Sequence, residues 1–148
     1  MKTNHLYVLD SYLNQIKVFN QDGSFIKKWG DSSSIHTSDD FVFLNNQEIA
    51  FINNDGIYSD NSFIKVFSID GQFIRDFVKD PDFIKEYSNK SFFDLAVDPN
   101  GYVYMQKYGE NRKVEYLKFS PDGYFVCEYI KKEDLDDNIF FQYKAFSD

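Results

Sequence analysis

One nine-residue phrase occurs three times in this chain of 148 residues. It reads VFNQDGSFI from Val18 to Ile26, VFSIDGQFI from Val66 to Ile74, and KFSPDGYFV from Lys118 to Val126. Its Asp-Gly pairs, at 22–23, 70–71 and 122–123, lie 48 and 52 residues apart. Phe stands three residues before each Asp (Phe19, Phe67, Phe119) and again three residues after it (Phe25, Phe73, Phe125). Asp-Gly between short apolar runs signals a tight hairpin, because Gly accepts a positive φ without steric cost. A hairpin repeated at a period of about 50 residues confines the chain to architectures that stack copies of one supersecondary unit.

The rest of each copy fills in around the hairpin. Call the strands of one unit a, b, c and d, the phrase supplying c and d. Strand b is read at Leu6 to Asp10, Glu48 to Asn53 and Tyr102 to Lys107. Strand a is read at Phe41 to Leu44 and at Phe92 to Val97, the latter followed by the turn sequence Asp98-Pro99-Asn100-Gly101. The first unit has no a strand ahead of Leu6, and one more strand-like run, IFFQYKAF from Ile139 to Phe146, follows the third. The tally is twelve strands, three units of four cut out of phase. With 17 Phe and 11 Tyr the composition agrees, since aromatic residues suit a pleated, half-buried surface. The expected fold is all-β, a β-propeller with three four-stranded blades per chain. A meander sandwich is the competing architecture. The expected blades are 5–30, 40–78 and 91–130 within one unit spanning 1–148. A short helix is expected after Asp80, where Pro81 occupies the first helical position.

These residues resemble the NHL-repeat family of β-propellers. Leu6-Tyr7-Val8-Leu9-Asp10, then Ile16-Lys17-Val18-Phe19, then Asp22-Gly23 follow its blade pattern. The second copy keeps Ile64-Lys65-Val66-Phe67 and Asp70-Gly71, and the third keeps Val103-Tyr104 and Asp122-Gly123. The position before strand c, usually Arg in the family, is Gln15, Phe63 and Glu115 here, and the third blade has Lys107 at the family's Asp position. The resemblance therefore implies a blade whose packing signature is intact and whose polar lock is degraded.

The resemblance also implies more than three blades, commonly six. Three blades standing alone would expose two apolar faces and free strand edges. The expectation is a two-fold homodimer that closes a six-bladed ring. The run at 139–146 would serve as a latch, Ile139, Phe141 and Tyr143 of one chain meeting Leu6 and Val8 of the other.

The long b–c and d–a loops share one face of such a blade and are the expected binding surface. Its candidates are His36, Asp55, Tyr58, Asp60, Tyr108 and Arg112. Asp55 and Asp60 are also weak candidates for calcium, and no other cofactor is expected. Ser32, Ser33 and Ser34 beside His36 lie too close in sequence to hold nucleophile-and-base geometry, so no catalytic residue is assigned. The formal net charge of −8 repels a phosphate backbone and argues against nucleic acid. No apolar run has the 18 residues expected of a membrane span. The single Cys127 and the lack of a leader-like stretch favour a cytoplasmic setting. The leading functional expectation is a non-catalytic module that binds a protein or small ligand, or scaffolds, through its loop face. The alternatives are a propeller lyase or lactonase with a divalent cation in the channel, and a structural component of a larger assembly.

Overall fold

The computed structural model describes residues 4–35, 40–52, 64–88, 90, 92–108 and 114–129. Within these residues the chain is all-β with one short helix. The first sheet holds β1 (Leu6–Asp10), β2 (Gln15–Phe19) and β3 (Phe25–Trp29). The second holds β4 (Phe41–Asn45), β5 (Glu48–Ile52), β6 (Ile64–Ser68) and β7 (Phe73–Asp76). The third holds β8 (Phe92–Val97), β9 (Val103–Tyr108), β10 (Val114–Phe119) and β11 (Phe125–Tyr129). Each sheet is an antiparallel meander in chain order. The run at 139–146 lies outside the described residues.

The repeated phrase folds into a wider turn than the tight hairpin expected. Gly23 N donates to Asn20 O at 3.0 Å and Asn20 N donates to Ser24 O at 2.9 Å, and the same pair of bonds recurs at Ser68–Gln72 and Ser120–Tyr124. Gln21 and Asp22 are thus the central residues of a four-residue turn, and Gly23 follows it with φ +83°. A two-residue type I′ turn needs positive φ at both Asp and Gly, and the Asp does not supply it. Its carboxylate instead accepts from Ser24 N at 2.8 Å, which stiffens the turn from inside. Asp98-Pro99-Asn100-Gly101 adopts the same bonds between β8 and β9.

The two Phe of the phrase have one purpose. They face each other across the hairpin, edge to face, with ring centroids 5.8, 5.6 and 5.9 Å apart in the three copies. In each copy the register slips at the first of them, so a β-bulge twists the hairpin at an equivalent point.

Strand alternation then stacks the sheets. Ile49, Phe51 and Phe67 of the second sheet pack against Ile16, Val18, Tyr7, Leu9 and Trp29 of the first. Their neighbours Ala50, Ile52, Ile64 and Val66 point the other way and pack with Leu95, Val103, Met105, Leu117 and Phe119 of the third. The middle sheet is therefore buried on both faces, which is why Ile49 to Ile52 run without a polar residue. Helix α1 (Pro81–Tyr87) begins at Asp80 as expected, its carboxylate accepting from Asp82 N and Phe83 N at 3.1 and 3.2 Å. Its Phe83 rests on Phe119 and Phe125, which closes the outer end of the second core.

Within the second sheet the Arg75 guanidinium binds both carboxylate oxygens of Glu48 and holds that carboxyl below its ordinary value of 4.5. A carboxyl with a depressed folded pKa stabilises above its unfolded pKa and loses that contribution as pH falls through the folded one. Arg75→Gln is expected to cost about 1 kcal/mol at neutral pH, the pair being partly exposed. In urea melts the gap from the parent should close as pH falls below 4.5. A gap that stays constant to pH values well below this would show that the pair contributes by packing and not by charge.

Candidate binding face

The turn from β1 to β2 is built to hold an aromatic residue in water. Asp10 Oδ1 accepts from Leu13 N at 3.0 Å, and its other oxygen pairs with Lys17 Nζ at 2.6 Å. These bonds, the Lys17 side chain first, hold the Asp10 carboxyl below the ordinary carboxylate range. Asn14 closes the turn with φ +52°, a left-handed conformation that Asn tolerates. The next segment braces it: a Cβ on Gly30 would meet Ile35 Cδ1 at 2.6 Å and Asn14 O at 2.9 Å. Ile35 is itself buried in the first core. On this fixed turn Tyr12 is 92% exposed and Leu13 48%.

Tyr108 occupies the corresponding end of the third sheet, where β9 leads toward β10. It is 58% exposed and stacks on Phe93, with centroids 4.4 Å apart and planes at 22°. Of the six expected binding-face residues it is the one described here. His36, Asp55, Tyr58, Asp60 and Arg112 lie outside the described residues, as do Ile139, Phe141 and Tyr143. Loop length does not single out Tyr12, because the β1–β2 connection is short. Its signal was present: Asp10 and Asn14 bracket it as turn residues, and an apolar pair between them has no strand to join.

Ser33 and Ser34 donate through both backbone and hydroxyl groups to Asp31 Oδ1. The Asp31 carboxyl is held below the usual range by these bonds, those from Ser33 first. The segment is a self-bonded turn. Asp40, just ahead of β4, accepts from Leu95 N at 2.9 Å and ties the second sheet to the third. Among the described residues no three His, Cys, Asp or Glu side chains converge as metal ligands. No described helix is long and apolar enough to cross a membrane.

In the third sheet a buried lysine joins two carboxylates. Lys107 lies opposite Glu115 in the β9–β10 register and pairs with it, and Glu128 of β11 lies 3.2 Å from the same ammonium. Tyr87 of α1 donates its hydroxyl to Glu128 at 2.8 Å, and its ring centroid sits 5.4 Å from Lys107 Nζ. Burial, reinforced by Glu128, pushes the Tyr87 hydroxyl pKa well up. Lys107 is only 6% exposed, so this network is a structural tie between α1 and three strands.

No protein-family model matches this sequence, and no curated protein matches it either.

Proposed function

We propose that the chain is a non-catalytic binding or scaffolding module, a propeller of NHL-like blades that takes its ligand on the b–c loop face. The observation that carries this reading is Tyr12, an aromatic side chain 92% exposed on a turn that is itself pinned. Tyrosine offers a large amphipathic contact with few rotamers to freeze and is enriched at binding hot spots. A rigid turn lowers the ordering cost of binding further. Tyr108, braced by Phe93, repeats the arrangement.

The ring belongs to the same proposal: two chains of three blades complete six, and the run at 139–146 of one chain pairs with β1 of the other. The state of β1 supports it. Leu6 and Val8 are 57% and 39% exposed, whereas their register equivalents Ile49 and Phe51 on β5, and Val103 and Met105 on β9, are buried. The first sheet covers Ile49 and Phe51 and the second covers Val103 and Met105, whereas no described sheet covers Leu6 and Val8.

Tyr12→Ser combined with Tyr108→Ser is expected to leave the melting transition within about 1 kcal/mol of the parent, both rings being largely outside the core. The same variant should lose a partner captured by the immobilised parent and confirmed by titration with the purified pair. A partner bound by the variant with unchanged affinity would refute the loop-face assignment.

A further inference from the structure

Helix α1 completes an aromatic cluster at the outer rim of the third sheet. The Phe83 ring centroid lies 4.9 Å from that of Phe119, edge to face, and 5.1 Å from that of Phe125. Phe77, just past β7, also meets Phe119 edge to face, at 6.4 Å. Under this cover Phe125 is half-buried.

The second sheet repeats the floor of that cluster. Phe67 and Phe73 stand where Phe119 and Phe125 stand, with centroids 5.6 Å apart. Trp29, seven residues after Asp22 as Phe77 is seven after Asp70, lies 6.0 Å from Phe67. The segment after Trp29 begins the same helical turn. Asp31 Oδ1 accepts from Ser33 N and Ser34 N at 2.9 and 3.0 Å, as Asp80 Oδ1 accepts from Asp82 N and Phe83 N. Ile35 N then donates to Asp31 O at 2.9 Å, as Ile84 N donates to Asp80 O at 3.0 Å. This alignment puts Ser34 in the place of Phe83. The counterpart of Tyr87 falls outside the described residues.

The missing ring shows at the surface. Phe73 is 55% exposed and Ile74 beside it 44%. Ser34 offers Phe73 no apolar cover, because its hydroxyl turns back and accepts from Asp31 N at 2.9 Å. Phe25 of the first sheet is as exposed as Phe73, but its inner partner Phe19 has no further ring against it among the described residues. The second pair is therefore the one with a finished floor and no lid.

The chemistry of the vacancy is set by its surroundings. Charges near Phe73 come in opposite pairs: Lys27 with Asp70, Arg75 with Glu48, and Lys65 opposite Asp76 in the β6–β7 register. An ionic group docking there would give up water with no unpaired charge in return. An uncharged ring gains both apolar burial and the edge-to-face geometry that aromatic pairs prefer. Such rings are also enriched at the centres of protein interfaces.

The geometry points to the rim at Phe67, Phe73 and Ser34 as a docking site for an aromatic side chain of a partner protein. Phe83 on Phe119 and Phe125 shows the pose that the partner's ring takes. Successive connections of an antiparallel meander lie at opposite ends of the sheet. Phe73 follows a c–d turn, so this site is separate from the b–c face that carries Tyr12 and stands or falls without it.

The test titrates the full chain with N-acetyl-L-phenylalanine amide, and with the leucine amide as aliphatic control, in methyl and aromatic NMR spectra. The phenylalanine amide should give saturable shifts at Phe73 and Ile74, with Val126 of the covered third pair unmoved. The leucine amide should bind at least about threefold more weakly, the margin an aromatic pair holds beyond its buried area. Ser34→Phe supplies the ring from inside the chain and should weaken binding at least about tenfold. Phe73→Leu keeps apolar bulk without the ring, and should bind the two amides equally. Equal affinity of the parent for both amides overturns the site. So do shifts as large at Val126 as at Ile74, or binding that neither Ser34→Phe nor Phe73→Leu alters.

Discussion

Gly123→Ala is expected to destabilise the fold by roughly 3 kcal/mol or more, where the chemically identical Gly23→Ala costs about 1 kcal/mol. The backbone conformations are nearly the same, φ +88° and +83°, so the strain of placing an L side chain there is common to both. What differs is the neighbour. The new Cβ of Gly123→Ala would overlap the carbonyl oxygen of Phe77, a main-chain atom that no rotamer change can remove. The Phe77 carbonyl cannot retreat without cost, because Lys79 N, two residues on, is bonded to Gly123 O at 2.9 Å and Phe77 N to Ile64 O at 2.8 Å. Relief requires the second and third sheets to part along a core that contains Phe77, Val78, Leu117 and Phe119. For a chain of this length a loss of 3 kcal/mol lowers the melting temperature by roughly 6–12 °C. Thermal melts of the two variants, at a dilution that keeps the chain monomeric, measure the difference. Equal losses at the two glycines would show that the turn of the third sheet is not gripped.

The part of the fold carried by repetition was legible in the sequence. Phe-x-x-Asp-Gly-x-Phe named three hairpins, and the strands flanking them followed from local alternation. The turn type was not legible, because Asp-Gly serves a two-residue loop as well as the last two positions of a longer one. Only the bonds from Gly23 N to Asn20 O and from Asn20 N to Ser24 O separate the cases. The close approach of one sheet to the turn glycine of the next, by the Trp29 ring at Gly71 and the Phe77 carbonyl at Gly123, was hidden for a related reason. A glycine needed for its φ and a glycine needed for its missing Cβ look alike in sequence, and Gly71 and Gly123 are both at once.

The candidate face was read less completely. Loop length favours the long b–c and d–a connections, while the most exposed aromatic residue described stands in the short β1–β2 turn. Length measures how much chain is free to make contacts, and Tyr12 shows that a tight turn presents a ring better by fixing it. The charge cluster of the third sheet was not legible from residue types alone. Only the register places Glu115 directly opposite Lys107 and pairs opposite charges across β9 and β10.

That buried pair sets the second large effect. Lys107→Met is expected to cost about 3–5 kcal/mol, the range for removing one partner of a buried ionic group. The length of the side chain is conserved, so little packing is lost. What remains is the problem: Glu115 and Glu128, with side chains 16% and 27% exposed, would face each other's charge with no cation between them. Tyr87 satisfies one oxygen of Glu128 by hydrogen bonding but cannot neutralise it. The variant Lys107→Met, Glu115→Leu, Glu128→Gln removes both orphaned charges and keeps an acceptor for the Tyr87 hydroxyl. It is expected to recover most of the loss, because an apolar replacement of a whole buried ion pair is often neutral. Urea unfolding of the single and triple variants decides between two accounts of the network. Recovery in the triple variant means that the cost lies in uncompensated carboxylates. Failure to recover means that the lysine itself, through its stem and its approach to the Tyr87 ring, is what joins α1 to the sheet.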